Sequence, residues 1–276
     1  MPQLLAFSRS SLAGPLLVAC MASLAGVGVG QHRQSAAHAQ EDLAPPAERP
    51  GDAANEAPSD GPSTYMGRVI APPMHYSGAD WLMRNSRRRE ENPTRLLEFL
   101  NVQPGQIVCD FGCGNGYHTL PLARRVAPEG SVYAVDIQPE MLELLTSRTE
   151  GRGIDNVRTI LASPSDPGLP AAIFDLVLMV DVYHELSDPP AVLAAVRTSM
   201  KRRGRLAVVE FREEDPAVPI HPLHKMSQEQ VMREIPANGF KLVGQFDRLP
   251  WQHVLLFARD DSPQPAIELR PWAPAQ

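Results

Sequence analysis

From Asn92 onward, short apolar runs alternate with stretches of helical spacing. Ile107 to Phe111 is an apolar run that breaks into Gly112-x-Gly114-x-Gly116, the pattern of a buried strand running into a tight turn. Tyr117 to Val126 places Leu120, Leu122, Ala123 and Val126 where one helix face can bury them. Ser131 to Val135 is the next strand and stops at Asp136, and Pro139 to Glu150 reads as a helix, with Pro139 suited to a first turn and Gly151 as the stop. Val157 to Leu161, Phe174 to Val180 and Arg205 to Glu210 are further strands, and Ala191 to Met200 is a helix introduced by Pro189-Pro190. Strands and helices alternating in this order predict an α/β fold with a parallel sheet covered on both faces. After Gly239 the pattern changes. Lys241 to Leu249 and Trp251 to Arg259 are two β-like runs meeting at Pro250, a hairpin that makes one strand antiparallel.

The ends lack such a pattern. Arg9 precedes an uncharged, apolar stretch from Ser11 to Gly30, and Ala37-His38-Ala39 offers small residues where a leader peptidase reads. Residues 1–39 are therefore expected to be a signal peptide cleaved before Gln40, which makes the domain an exported, periplasmic one. Two other readings stay open: Leu17-Val18-Ala19-Cys20 resembles a lipobox, and the apolar run is long enough to remain as a membrane anchor. Residues 40–64, rich in Pro, Ala, Asp and Glu, read as a disordered linker, and residues 261–276 as a disordered tail. The domain is then 65–260, with 65–91 as a cap in which His75, Tyr76 and Trp81 either contribute to a lid over the acceptor or, as the commoner role of a tryptophan such as Trp81, simply pack.

Composition narrows the function classes. The 276 residues, 43% of them hydrophobic, suffice for one sizeable domain with a proper core. A net charge of −6 argues against a general binder of nucleic-acid backbones. The basic stretch from Arg84 to Arg89 runs straight into Glu90 and Glu91, and is expected to be a solvated helix face. With Cys20 in the leader, Cys109 and Cys113 remain, predicted to be two free thiols rather than a disulfide or a zinc site.

The candidate chemistry centres on Asp110 to Gly116. Glycines at alternate positions let the backbone pass close beneath a ligand at the carboxyl edge of the sheet. Asp110 before the loop suits a ligand carrying an ammonium group, and Asp136 ending the next strand can accept hydrogen bonds from both hydroxyls of an adenosine ribose. A nicotinamide dinucleotide uses the same geography, but its fingerprint wants a third glycine or alanine where this chain has Tyr117. A purely structural turn is the remaining alternative.

These features resemble the class I, Rossmann-like S-adenosylmethionine-dependent methyltransferases over roughly Asn92 to Arg259. The likeness lies in Asp110 to Gly116, Val132 to Asp136, Phe174-Asp175-Leu176-Val177 and Arg205 to Glu210. It implies a mostly parallel seven-stranded sheet ending in an antiparallel hairpin, with S-adenosylmethionine as cofactor. It also implies that Gly112, Gly114 and Gly116 line the methionyl and ribose portion, Asp136 holds the ribose, Ile137 packs on adenine, and Asp166 stands near the adenine amino group. Lys201-Arg202-Arg203-Gly204 departs from the family, which usually has a proline before that glycine. More closely, the chain is similar to a bacterial subgroup with Val180-Asp181-Val182-Tyr183-His184-Glu185-Leu186, Glu210-Phe211-Arg212, His224-Lys225-Met226 and Leu249-Pro250-Trp251-Gln252-His253.

In this fold the end of the fourth strand faces the transferring methyl. Asp181-Val182-Tyr183-His184 is not the Asn/Asp-Pro-Pro-aromatic turn of many base-modifying enzymes, so the expected acceptor is a small or lipid-like molecule and not a nucleic acid. His184 is the candidate base, with Tyr183 beside it and Glu185 or Asp181 orienting it; the alternative is that His184 and Tyr183 only wall the pocket. Arg212, Glu214, His224 and Lys225 either bind an anionic acceptor or form a surface ion network. His221-x-x-His224 has a conceivable metal spacing but no third ligand evident in the sequence, so no metal is expected. The functional rivals are an NAD(P)-dependent oxidoreductase and a non-catalytic binding protein that keeps the fold.

Overall fold

The computed structural model describes residues 63–274. A two-stranded hairpin, β1 (Thr64–Tyr65) and β2 (Arg68–Val69), precedes two short helices, α1 (Arg87–Glu91) and α2 (Pro93–Leu100). The alternating part follows as β3 (Ile107–Phe111), α3 (Thr119–Val126), β4 (Ser131–Asp136), α4 (Pro139–Glu150), β5 (Val157–Leu161), β6 (Phe174–Val180), α5 (Pro189–Ser199) and β7 (Met200–Phe211). It closes with α6 (Gln228–Ala237), β8 (Phe240–Phe246) and β9 (Gln252–Arg259). The helix starts follow local chemistry. Asn92 and Asp188 accept hydrogen bonds from the amides of Arg95 and Ala191, and each precedes a proline in the first turn.

The seven long strands form one sheet in the order β5-β4-β3-β6-β7-β9-β8, parallel except for β9, which runs antiparallel to both β7 and β8. Alternate residues of β6 serve opposite faces. Val177 and Met179 pack beneath α5 and α6, while Leu176 and Leu178 pack with α2 and α3. Burial on both faces explains why β6 reads as a continuous apolar run from Leu176 to Val180. The chain winds outward from β3 through β4 to β5 on one side and from β6 to β7 on the other. That leaves a crevice at the carboxyl ends of β3 and β6, where open α/β sheets take ligands.

Four expectations need correction. The basic stretch before α2 is not a solvated face: Arg87, Glu90 and Glu91 are buried, with Arg84 Nη2 2.6 Å from Glu90 and Arg87 Nε 2.8 Å from Glu91. Charge complementarity lets Arg84 and Arg87 go under with Glu90 and Glu91, while Arg88 and Arg89 stay exposed. Of the expected tail, the described part as far as Pro274 packs on the domain. Its Ile267 amide donates to Leu242 O, Trp272 N donates to Gln228 Oε1, and the Arg212 guanidinium lies over the Trp272 ring. Helix α6, absent from the sequence pattern, separates β7 from β8, and β7 starts at Met200 rather than Arg205. Residues 1–39, expected to be a signal peptide, lie outside the described residues; among those described, no helix is long and apolar enough to cross a membrane.

Candidate functional site

A cavity of about 1220 Å³ opens at the crevice. It exceeds the ~300–1,000 Å³ typical of single-ligand sites, leaving room for a cofactor and a second molecule. The glycine loop forms its floor. Gly112 and Cys113 both donate to Val135 O, at 2.8 and 2.9 Å, which pins the loop to the end of β4. Gly112 takes φ +69°, and a Cβ there would overlap the Val182 side chain. The residue must therefore be glycine for both its conformation and its neighbour. Asp136 completes the loop: its Oδ2 accepts from Gly114 N at 2.8 Å and its Oδ1 from Gln138 N at 2.9 Å. Ile137 beside it is 42% exposed and lines the cavity.

Asp110 also lines the cavity and accepts from Thr119 Oγ1 at 2.5 Å. Burial pushes its carboxyl up to about 6, against the opposing Thr119 bond. Tyr117, at the position of the third glycine of a nicotinamide fingerprint, carries the Arg87 guanidinium 4.0 Å above its ring centroid. His118 is fully buried, with neither ring nitrogen partnered by the described residues, and burial drops it to about 3. Asp166 is elsewhere: its Oδ1 accepts from Gly168 N and closes its own turn, and Ala162 takes the cavity wall instead.

The opposite end of the cavity is built by the turn after β6. Asp181 has φ +54°, and its Oδ2 accepts from Gln252 Nε2 at 2.7 Å. Burial drives its carboxyl well up, reinforced by Glu91 and Glu210. Tyr183 does not face the cavity. Its hydroxyl donates to Glu234 Oε2 at 2.9 Å, inside the core. His184 does face it, held at both ring nitrogens: Nδ1 is 2.7 Å from Glu210 Oε2 and Nε2 is 3.0 Å from His224 Nδ1. Burial pulls its imidazolium down, but the Glu210 carboxylate more than offsets this and lifts it to about 9. Glu185 Oε1 lies 3.7 Å from both His184 Nε2 and His224 Nδ1.

The orienting carboxylate of His184 is thus Glu210, not Asp181 or Glu185. Sequence reasoning missed that role, as it did those of Arg87 and His118. Only Glu210 left a trace, as an acid closing the apolar run Leu206 to Val209. Of the anion-site candidates, His224 reaches the cavity. Arg212 is buried and donates to backbone carbonyls, Gln252 O among them at 2.5 Å, while Glu214 accepts from Gln228 N. His221 Nδ1 accepts from Leu223 N, capping the short turn Pro222–His224.

Comparison with known proteins agrees with this geometry. Residues 103–254 match the family described as methyltransferase domain. The nocamycin O-methyltransferase of Saccharothrix syringae is 33% identical over 41% of this chain and 41% of its own length. The aklanonic acid methyltransferase of Streptomyces sp. (strain C5) is 33% identical over 41% of this chain and 51% of its own. The chain therefore spans about half or less of these two relatives. In fold, it superposes on a SAM-dependent methyltransferase from Aquifex aeolicus with a TM-score of 0.64 at 23% identity, covering 67% of this chain and 98% of that one.

Proposed function

The chain belongs to the methyltransferase-domain family, and on that premise we propose that it transfers the methyl group of S-adenosylmethionine to a small, predominantly apolar acceptor. The observation that carries this reading is one cavity with two unlike ends. The glycine loop and Asp136 form the cofactor end, and the turn bearing His184 and Glu185 forms the other, beside Met74, Leu186, Ile220 and Leu223. A ligand bridging the ends places its sulfonium toward β6. The acceptor's lone pair forms the bond to the methyl carbon in line with the breaking carbon–sulfur bond, whose electron pair stays on sulfur. Alignment of the two molecules then supplies much of the acceleration. His184 takes no proton from the acceptor itself, since Glu210 and His224 meet both its ring nitrogens in the free protein. The names of the two relatives support a small-molecule acceptor. The finer placement, in an exported bacterial subgroup with the Tyr183-His184-Glu185 run, is part of the proposal and rests on the sequence.

Calorimetric titration with S-adenosylmethionine and, separately, NADH tests the reading. Binding of the first alone is the expected result. Binding of NADH alone would return the glycine loop to a dinucleotide, and binding of neither would leave a repurposed fold.

Cofactor affinity is also expected to depend on pH through Asp110. Burial holds the free carboxyl up at about 6 against the Thr119 hydrogen bond, with Asp136 adding to the rise and Arg87 lowering it. A bound ammonium group demands the ionised form, so binding releases a proton where Asp110 is still protonated. Affinity should fall about tenfold from pH 7 to pH 5, the ratio of ionised fractions for a group titrating near 6. Calorimetry in buffers of different ionisation enthalpy reads the released proton. A flat profile would remove Asp110 from the ammonium site.

A further inference from the structure

We propose that His184, Glu185 and His224 form a binding site for a divalent cation of the zinc class at the acceptor end of the cavity. His184 Nε2, His224 Nδ1 and Glu185 Oε1 are separated by 3.0, 3.7 and 3.7 Å. The point equidistant from these three atoms lies about 2.0 Å from each, within the ~2.0–2.2 Å of zinc bonds to imidazole nitrogen and carboxylate oxygen. Two histidines and one glutamate are a donor set that borderline cations take.

The surroundings orient the donors. Glu210 accepts from Nδ1–H of His184, so the nitrogen that faces the triangle is Nε2, and a cation bound there takes the place of the imidazolium's second proton. A carboxylate behind the distal nitrogen is the usual outer support of a metal-bound histidine. His224 Nδ1 also faces the triangle, 3.0 Å from His184 Nε2, so the proton shared between the two rings gives way to a cation that takes both lone pairs. His221, the sequence neighbour of matching spacing, spends its Nδ1 on capping and is not part of the set. All three donors line the cavity, which leaves a fourth coordination position open toward the acceptor.

Metal binding stands on this geometry alone; its purpose rests on the methyltransferase reading. An acceptor hydroxyl or thiol coordinated there gives up its proton to solvent more readily. Its lone pair then forms the bond to the methyl carbon, while the carbon–sulfur pair remains on the cofactor sulfur as a neutral thioether.

The test uses the full chain, stripped with a chelator and titrated with zinc against a chromophoric competitor; cobalt(II) loading in parallel gives visible absorption. One zinc per chain is expected. His224→Ala and Glu185→Gln should each weaken binding about 100-fold and change the cobalt bands, and Glu210→Gln should weaken it about 10–100-fold. His221→Ala should change neither. His224 is only partly buried, so its removal leaves the core intact. Substoichiometric zinc, or zinc affinity and cobalt spectra that ignore His224→Ala, would overturn the site. S-adenosylmethionine titrated into the same stripped protein separates the two readings. Cofactor binding without zinc binding sinks the metal site alone; zinc binding without cofactor binding sustains it and sinks the methyltransferase reading.

Discussion

Replacing Asp136 by alanine is expected to weaken S-adenosylmethionine binding by about 1–3 kcal/mol, roughly five- to 150-fold, the cost of stranding polar groups in a buried site. The carboxylate has two tasks. In the free protein it holds the Gly114 and Gln138 amides, and with cofactor bound it is proposed to accept from the ribose hydroxyls as well. A ligand lacking both ribose hydroxyls separates the tasks. If Asp136 meets the ribose, the substitution costs much less for that ligand than for S-adenosylmethionine, and the difference is the coupling energy. Equal losses would confine Asp136 to shaping the loop, and an unchanged affinity would remove it from the cofactor site.

Arg68→Ala is expected to be the most destabilising single change, at about 3–5 kcal/mol, because it leaves a buried carboxylate without its charge partner. Glu234 is fully buried and receives Arg68 Nε at 2.9 Å and Nη2 at 3.0 Å, with the Tyr183 hydroxyl and Gln230 amide completing the cluster. The Arg68 side chain is itself only 10% exposed, and its Nη1 donates to His184 O at 2.8 Å. Its loss therefore also loosens the hairpin β1–β2 from the turn that carries His184. For a domain of this size the melting temperature should drop by roughly ten degrees. Replacing Arg68 and Glu234 together with methionine should recover most of the loss, since neither charge then remains buried. A loss under about 1 kcal/mol from Arg68→Ala would mark the pair as an ordinary surface bridge.

Some elements were legible residue by residue. Strands β3, β5 and β6 and helix α4 fall where the apolar runs and the Gly and Pro punctuation put them, because those signals act within a few residues of chain. The start of β7 was hidden by Lys201-Arg202-Arg203, which look like a loop; at the end of the sheet Lys201 pairs with Asp175, so the charges are tolerated there. Helix α6 was hidden by Pro236 and its charged residues. Its stability comes from packing Val231 and Ile235 into the core and from the Ser227 cap.

By itself the sequence determined the α/β class, the glycine loop and the placing of Asp136 opposite it. Asp110 to Gly116 is one continuous stretch, and the next strand of a parallel sheet must bring its own end, Asp136, to the same edge. Only the tertiary structure decided the acceptor end. His184, Glu210 and His224 come from three segments, joined by the parallel register of β6 with β7 and by the Arg212–Met226 bridge that folds the following loop back. No local spacing encodes that meeting. The same holds for the buried charges. Whether Arg87, Glu91, Arg68 or Glu234 faces water depends on a partner across the fold, because desolvation is tolerated only where an opposite charge and hydrogen bonds offset it.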